Sequence, residues 1–362
     1  MPNLLLTGLG ISVMLLLVYL AFENPGEYTD HQTGCYNRFA FDSVLNEKMH
    51  SEKPFDIISV VIDELDAVIT RFGYAESHRL MKEMADFLTS LSSKNVYVYR
   101  DDCFAFFSDN EGTTETVCCA IRKRLGGTWV LQGMPVAVSA HADVLRFPDF
   151  AHNCAEVNDI LKYAGEHVES GKPVNVIDKK CADGFKHETE LVALLKNAVE
   201  NDGFDVYYQP IYNLEKEKYT SAEALIRLSD TGSFGQVSPD EFIPVAEKNG
   251  LITDIGNIVL KKVCRFISGN RINELGIDYV EVNLSGVQIV NSSLPDDIMA
   301  VLNEHNVPSH FLNFEMAETA ETSNHMAVNI HRIRSGGSGF SLEDFGKVGS
   351  GLSKITDNGF DI

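Results

Sequence analysis

From residue 205 onward the chain alternates short β-rich runs with amphipathic stretches: DVYYQPIYNL, TSAEALIRL, a helix opening at Pro239, DYVEVNLS, HFLNFEMAET, GFSLEDFG and a final GFDI. Strands separated by helices return to one sheet in parallel, because the crossover helix packs back over the face it leaves. This half of the chain is therefore restricted to an α/β architecture of βα units. Ser238, Pro239 and Glu241 stand at the N-cap, N1 and N3 positions of the helix and predict a capping box. An earlier alternation precedes it. FDIISVVIDEL (55–65) reads as a strand, HRLMKEMADFLTSL (78–91) and EVNDILKYAGEHVES (156–170) as helices, and VYVYRDDCFAFF (96–107) as two strands around a polar turn. Polar DKKCADGFKHE (178–188) reads as a linker, which gives domains at 31–177 and 189–362.

Of the 362 residues 44% are hydrophobic and 23% charged, enough apolar material for two globular cores. A net charge of −22 argues against a nucleic-acid partner, since phosphate binding needs clustered Lys and Arg, and fits a cation or a cation-bridged phosphate ligand better. Seven cysteines show no CxxC spacing and are expected as reduced, mostly buried thiols. Asn3 to Phe22 carry no charge and are long enough to cross a bilayer as a helix; with no basic n-region and no A-x-A site, the run is expected as a transmembrane anchor (1–22) rather than a cleaved signal, followed by a linker at 23–30. The Gly-rich stretches SGGSGF (335–340) and GKVGSGLSK (346–354) match neither a dinucleotide fingerprint nor a P-loop.

Period-two spacing puts Ser221, Glu223, Leu225 and Arg227 on one strand face, and Asn313, Glu315 and Ala317 on one face of another strand. Acids on an inward barrel face need a partner, and hard oxygen donors suit Mg²⁺ or Mn²⁺. YYQPI (207–211), SAEALIRL (221–228), DEFIPVAE (240–247), VNLS (282–285), FEMAE (314–318) and LEDFG (342–346), in this order, resemble the motifs of EAL phosphodiesterases. The resemblance implies a (β/α) TIM-type barrel that hydrolyses cyclic-di-GMP to linear pGpG by a two-metal mechanism. Carried over by position, Glu223, Asn283, Glu315, Glu343 and Asp344 are expected as metal ligands, and Glu223, Asp344 and Glu318 as catalytic. Gln209, Leu225 and Arg227 are expected to bind substrate, the Arg227 fork suiting a phosphate.

The pattern departs from the family at several points. The first Asp of the family's LDDFG is Glu343, the Thr of its FEMAE-like motif is Ala317, and the Trp after Arg227 is Leu228. Phe360, Asp361 and Ile362 look like the opening of the family's DxIKID strand, so the barrel is expected to stop near its sixth strand, a fragment that is weakly active or inactive.

The first half resembles a GGDEF diguanylate cyclase domain in spacing, through DHQTGCYNRFAF (30–41) and VIDELDAVITRFGYAESHRLM (61–81), but not in chemistry. Val61, Ile69 and His78 replace expected site residues, only Asp63 remains of the first acid pair, and the GGDEF signature reads Arg100, Asp101, Asp102, Cys103 and Phe104. No cyclase is expected. The whole resembles a membrane-anchored bacterial cyclic-di-GMP signalling protein, which implies the inner membrane with both domains in the cytoplasm and a homodimer. A non-catalytic cyclic-di-GMP receptor or regulatory interaction protein stays open as the alternative.

Overall fold

The computed structural model describes residues 28–343 except 52, 92–94, 169–171, 273 and 318–323. It divides into two compact units, Met1–Lys186 and His187–Ile362.

In the first unit, helix α1 (Arg38–His50) starts at Asn37, whose side chain accepts from the Ala40 amide. There follow β1 (Phe55–Ile62), α2 (Leu65–Phe72), α3 (Tyr74–Leu91), β2 (Val96–Arg100), β3 (Cys103–Ser108), α4 (Glu111–Leu125), the small hairpin β4 (Trp129–Leu131) and β5 (Met134–Val136), β6 (Ala140–Phe147), α5 (Cys154–Glu166) and β7 (Val174–Val176). The main sheet has the order β2-β3-β1-β6-β7, antiparallel except for β6 with β7. Every residue of central β1 is buried, because both faces are covered. Ile58, Val60 and Ile62 join Leu80, Met84 and Ile121 in one core cluster, and Ile57 and Val61 join Phe41, Leu45 and Ile160 in the other. The turn expected inside VYVYRDDCFAFF lies between β2 and β3.

Helix α6 (Lys179–Glu200) runs through the segment expected as a linker at 178–188. Gly184 in its interior signals a break in the sequence, yet the helix continues and uses the glycine for close packing: a Cβ there would meet the Tyr163 hydroxyl at 2.5 Å.

The second unit continues with β8 (Phe204–Asn213), β9 (Lys218–Leu228), α7 (Pro239–Lys248), α8 (Ile252–Asn270), β10 (Tyr279–Asn283), the single turn α9 (Gly286–Ile289), α10 (Leu294–His305), β11 (Leu312–Ala317), α11 (Asn324–Ser335) and β12 (Gly339–Glu343). Its sheet order is β12-β11-β10-β9-β8. Strands β9 to β12 are parallel, as helices between strands require, whereas β8 pairs antiparallel with β9. That antiparallel pair departs from the all-parallel expectation for a local reason: only a short turn separates β8 from β9, and a turn cannot return a strand in parallel. One sheet face, with Ala224, Val280, Val282, Phe314 and Phe340, packs on Val263, Ile267, Ile298, Leu302 and Ile330 of the helices.

Two expectations are corrected. No helix of the described residues is long and apolar enough to cross a membrane. Even α6, the longest at 22 residues, mixes lysines and glutamates through its length. The run 3–22 lies outside the described residues, so neither the expected transmembrane helix nor the membrane partner it implied is supported, and what stands is an α/β fold. Ser238 caps α7 by backbone alone, with no side-chain hydrogen bond, and Pro239 does sit in its first turn. The expected reciprocal partner, Glu241, is instead engaged by His187, whose Nε2 lies 2.7 Å from Glu241 Oε1.

Candidate active site

Since Ala224, Val282 and Phe314 face the helices, their neighbours at i±1 face the other way. Strand register then stacks these residues in rungs. Gln209 faces Glu223, Glu223 faces Glu281, and Glu281 faces Asn313. One rung nearer the C-terminal ends of the parallel strands come Leu225, Asn283, Glu315 and Ser341, with Asn283 opposite Glu315 and Glu315 opposite Ser341. In open and closed βα sheets, this end is where ligands are received.

Asn283 Nδ2 donates to Glu223 Oε1 at 2.9 Å, joining the two rungs. This leaves the amide oxygen of Asn283 as its acceptor. In the inner rung Asn313 Nδ2 donates to Glu281 Oε1 at 3.2 Å and to Ser341 Oγ at 2.9 Å. Gly339 makes room for it: a Cβ there would lie 2.5 Å from Asn313 Oδ1. Glu281 and Ser341 were not singled out from the sequence, although the alternation in VEVN, which puts Glu281 on the face of Asn283, carries the signal.

Arg227 is half-buried, and its Nη1 donates to the neighbouring Ile226 carbonyl at 2.7 Å. Gln209 is exposed on the edge strand. Glu223, Leu225 and Arg227 line a groove of about 990 Å³ that runs past Asn283 to Asp240 and Asn257. Of the remaining expected site residues, Glu343 ends β12 with its backbone in register with Ala317, and Glu318 and Asp344 lie outside the described residues. Among the described residues no three His, Cys, Asp or Glu side chains converge as metal ligands. Glu223, Asn283 and Glu315 contribute two carboxylates and an amide, an all-oxygen set that fits a hard divalent cation.

In the first unit the positions resembling a nucleotide site form a closed polar knot. Val61 is buried and faces both Cys103 and His141 in the sheet. Burial pushes the Cys103 thiol up to about 12. Asp63 Oδ1 lies 2.5 Å from His141 Nδ1, and its Oδ2 accepts from Ser139 Oγ at 2.7 Å. Burial disfavours the Asp63 carboxylate, but the hydrogen bonds from His141 and Ser139 outweigh it and hold its pKa below the ordinary value. On the other side of the ring His141 Nε2 stands 3.2 Å from Asp143 Oδ2, an ion pair whose angle falls short of a hydrogen bond, and Asp143 is fully buried. Burial opposes a charge on His141; Asp143 and Asp63 prevail and push its pKa up to about 9.

Residues 193–362 match the EAL domain family. Signaling protein YkoW of Bacillus subtilis (strain 168) is 36% identical over 349 residues, an alignment that covers 91% of this chain and 42% of that protein. The cyclic di-GMP phosphodiesterase NbdA of Pseudomonas aeruginosa PAO1 is 24% identical over 341 residues, covering 90% and 43%. The chain thus spans about two fifths of the length of these curated relatives. Among solved structures, Vibrio cholerae LapD S helix-GGDEF-EAL, bound to c-di-GMP, is similar with a TM-score of 0.58 at 14% identity, covering 96% of this chain and 84% of that one, which is a likeness of fold. The β9 to β12 rungs that hold Glu223, Asn283 and Glu315 lie inside the segment 193–362 that is similar to the EAL domain family.

Proposed function

We propose that the second unit hydrolyses cyclic di-GMP to linear pGpG, water adding across one phosphodiester bond. The observation that carries this reading is the Asn283–Glu223 contact, with Glu315 opposite Asn283 one strand away, on three adjacent parallel strands where Asn283 ends β10. Relatives named as cyclic di-GMP phosphodiesterases support the substrate. Glu223, Asn283 and Glu315, with Glu343 and Asp344, would hold two divalent cations, Mg²⁺ or Mn²⁺. When bound, such cations lower the pKa of a water and offset charge developing at phosphorus. Arg227 offers a planar fork to a phosphate, Leu225 an apolar wall and Gln209 an amide at the edge, while Glu318 would steady the loop after β11. In this reading the added methylene of Glu343 weakens metal binding.

The first unit is read as a GGDEF-type fold without cyclase chemistry. Val61 and the protonated thiol of Cys103 offer no hard oxygen where metal ligands are needed, and Asp63 is already committed to His141 and Ser139.

The test is hydrolysis of cyclic di-GMP by the purified chain with Mn²⁺ or Mg²⁺, beside Glu223→Ala and a binding assay. Turnover lost in the variant supports the reading. Binding without turnover identifies a receptor instead, and neither binding nor turnover overturns both.

A further inference from the structure

We infer that Gly256, Gln288 and Asn329 are positioning residues for Asn283, clamping the segment that follows β10 from both sides; this rests on the phosphodiesterase reading. Asn283 is exposed and ends its strand, so its place depends on what fixes the next few residues. The Leu284 amide donates to the Glu315 carbonyl at 2.7 Å, the last backbone tie to β11. The chain then turns at once into α9 through a full capping box. Ser285 Oγ accepts from the amides of Val287 at 3.2 Å and Gln288 at 3.4 Å, and Gln288 Oε1 accepts from the Ser285 amide at 3.0 Å.

A capping box on a single turn is weak by itself, and this one is held from outside. Gln288 is only 5% exposed. Helix α8 presses on it at Gly256, where a Cβ would stand 2.0 Å from Gln288 Nε2 and 3.2 Å from its Cδ. A side chain at position 256 requires the Gln288 amide, which makes the reciprocal bond, to shift. From the other side α11 supplies Asn329, 2% exposed, whose Nδ2 donates to the carbonyls of Ile289 at 2.7 Å and Asn291 at 2.8 Å. The Ile289 carbonyl, at the last residue of α9, is one that a helix end leaves open, and the Asn291 carbonyl also accepts from the Leu294 amide at 3.1 Å. Gly256, Gln288 and Asn329 act on Asn283 through the backbone that follows it, and together they hold the segment that aims Asn283 at Glu223. A ligand residue must be held within about half an ångström to serve a metal.

The test compares the full wild-type chain with Gly256→Ala, Ser285→Ala and Ser285→Thr by manganese titration, thermal unfolding and steady-state kinetics. Gly256→Ala and Ser285→Ala are expected to weaken Mn²⁺ on the order of 10-fold, with turnover recovering as Mn²⁺ is raised and KM for the dinucleotide unchanged at saturating metal. Ser285→Thr keeps the capping hydroxyl and is expected to restore wild-type metal affinity. Folded Gly256→Ala and Ser285→Ala chains with wild-type Mn²⁺ affinity would overturn the inference, as would a threonine variant as impaired as the alanine. If Gly256→Ala does not fold, the Ser285 pair decides alone. A wild-type chain that binds no Mn²⁺ overturns the phosphodiesterase reading itself, and the inference with it.

Discussion

Asn283 donates to Glu223 at 2.9 Å although the two are not register partners: Glu223 faces Glu281, and Asn283 stands one rung further along, opposite Glu315. The contact is a diagonal across adjacent parallel strands, and it sets an amide oxygen and a carboxylate at one end of the sheet. Removing either should act through the same cations. Glu223→Ala is expected to lower kcat by about 100-fold or more, and Asn283→Ala to weaken Mn²⁺ by about 10- to 100-fold. In the double variant the two effects should fall well short of additive, measured as kcat/KM over a manganese series.

Glu343 offers a gain-of-function test. Its carboxylate is one methylene longer than the aspartate of the resembling motif, and two bridged cations must sit about 3.5–4 Å apart. Glu343→Asp is expected to tighten Mn²⁺ several-fold and to raise turnover at limiting metal, with chelation by EDTA abolishing turnover in both forms. An aspartate variant no better than wild type would remove Glu343 from the proposed ligand set.

His141 makes the first unit sensitive to alkaline pH. Its folded pKa of about 9 lies above the ordinary 6.5, because Asp143 and Asp63 outweigh the cost of burial. The stability it adds is therefore fully present below pH 6.5 and is lost as pH rises through about 9, a change of about 3 kcal/mol. Trp129, the chain's single tryptophan and 1% exposed, reports on this unit. Urea midpoints followed by its fluorescence should fall across that window in the wild type. A His141→Gln chain should start lower and lose the slope.

Arg146 closes a second buried charge. Its Nε and Nη2 reach Asp56 Oδ1 and Oδ2 at 2.8 and 3.2 Å, and Thr114 Oγ1 donates to the same carboxylate at 2.6 Å. Asp56 is 3% exposed. Arg146→Ala leaves that carboxylate with Thr114 alone and is expected to cost about 2–3 kcal/mol, less than a fully buried pair because Arg146 itself touches solvent. Thr114→Val should cost about 1 kcal/mol. Both are read as urea midpoints.

Much of the second unit was legible because periodicity and motif order are local. The alternation of strands and helices was visible residue by residue, and period two put Glu223 with Leu225 and Asn313 with Glu315 on their faces before any contact was known. The order of motifs pointed to the EAL domain. Where two residues competed for one partner, the sequence had no means to choose. The Ser238 and Glu241 spacing is that of a capping box, but His187, far away in the chain, takes the glutamate. Gly184 looks like a break and is instead a contact with Tyr163. The box that does form, at Ser285 and Gln288, depends on a glycine in α8 that only packing brings against it. Chain pattern thus determined most of the strands and helices and the face each strand side chain takes, since backbone geometry repeats every few residues, but not that α6 continues through 178–188. Tertiary structure decided which polar groups meet, because a hydrogen bond is satisfied by whichever partner lies within about 3 Å, and that distance is set by the fold.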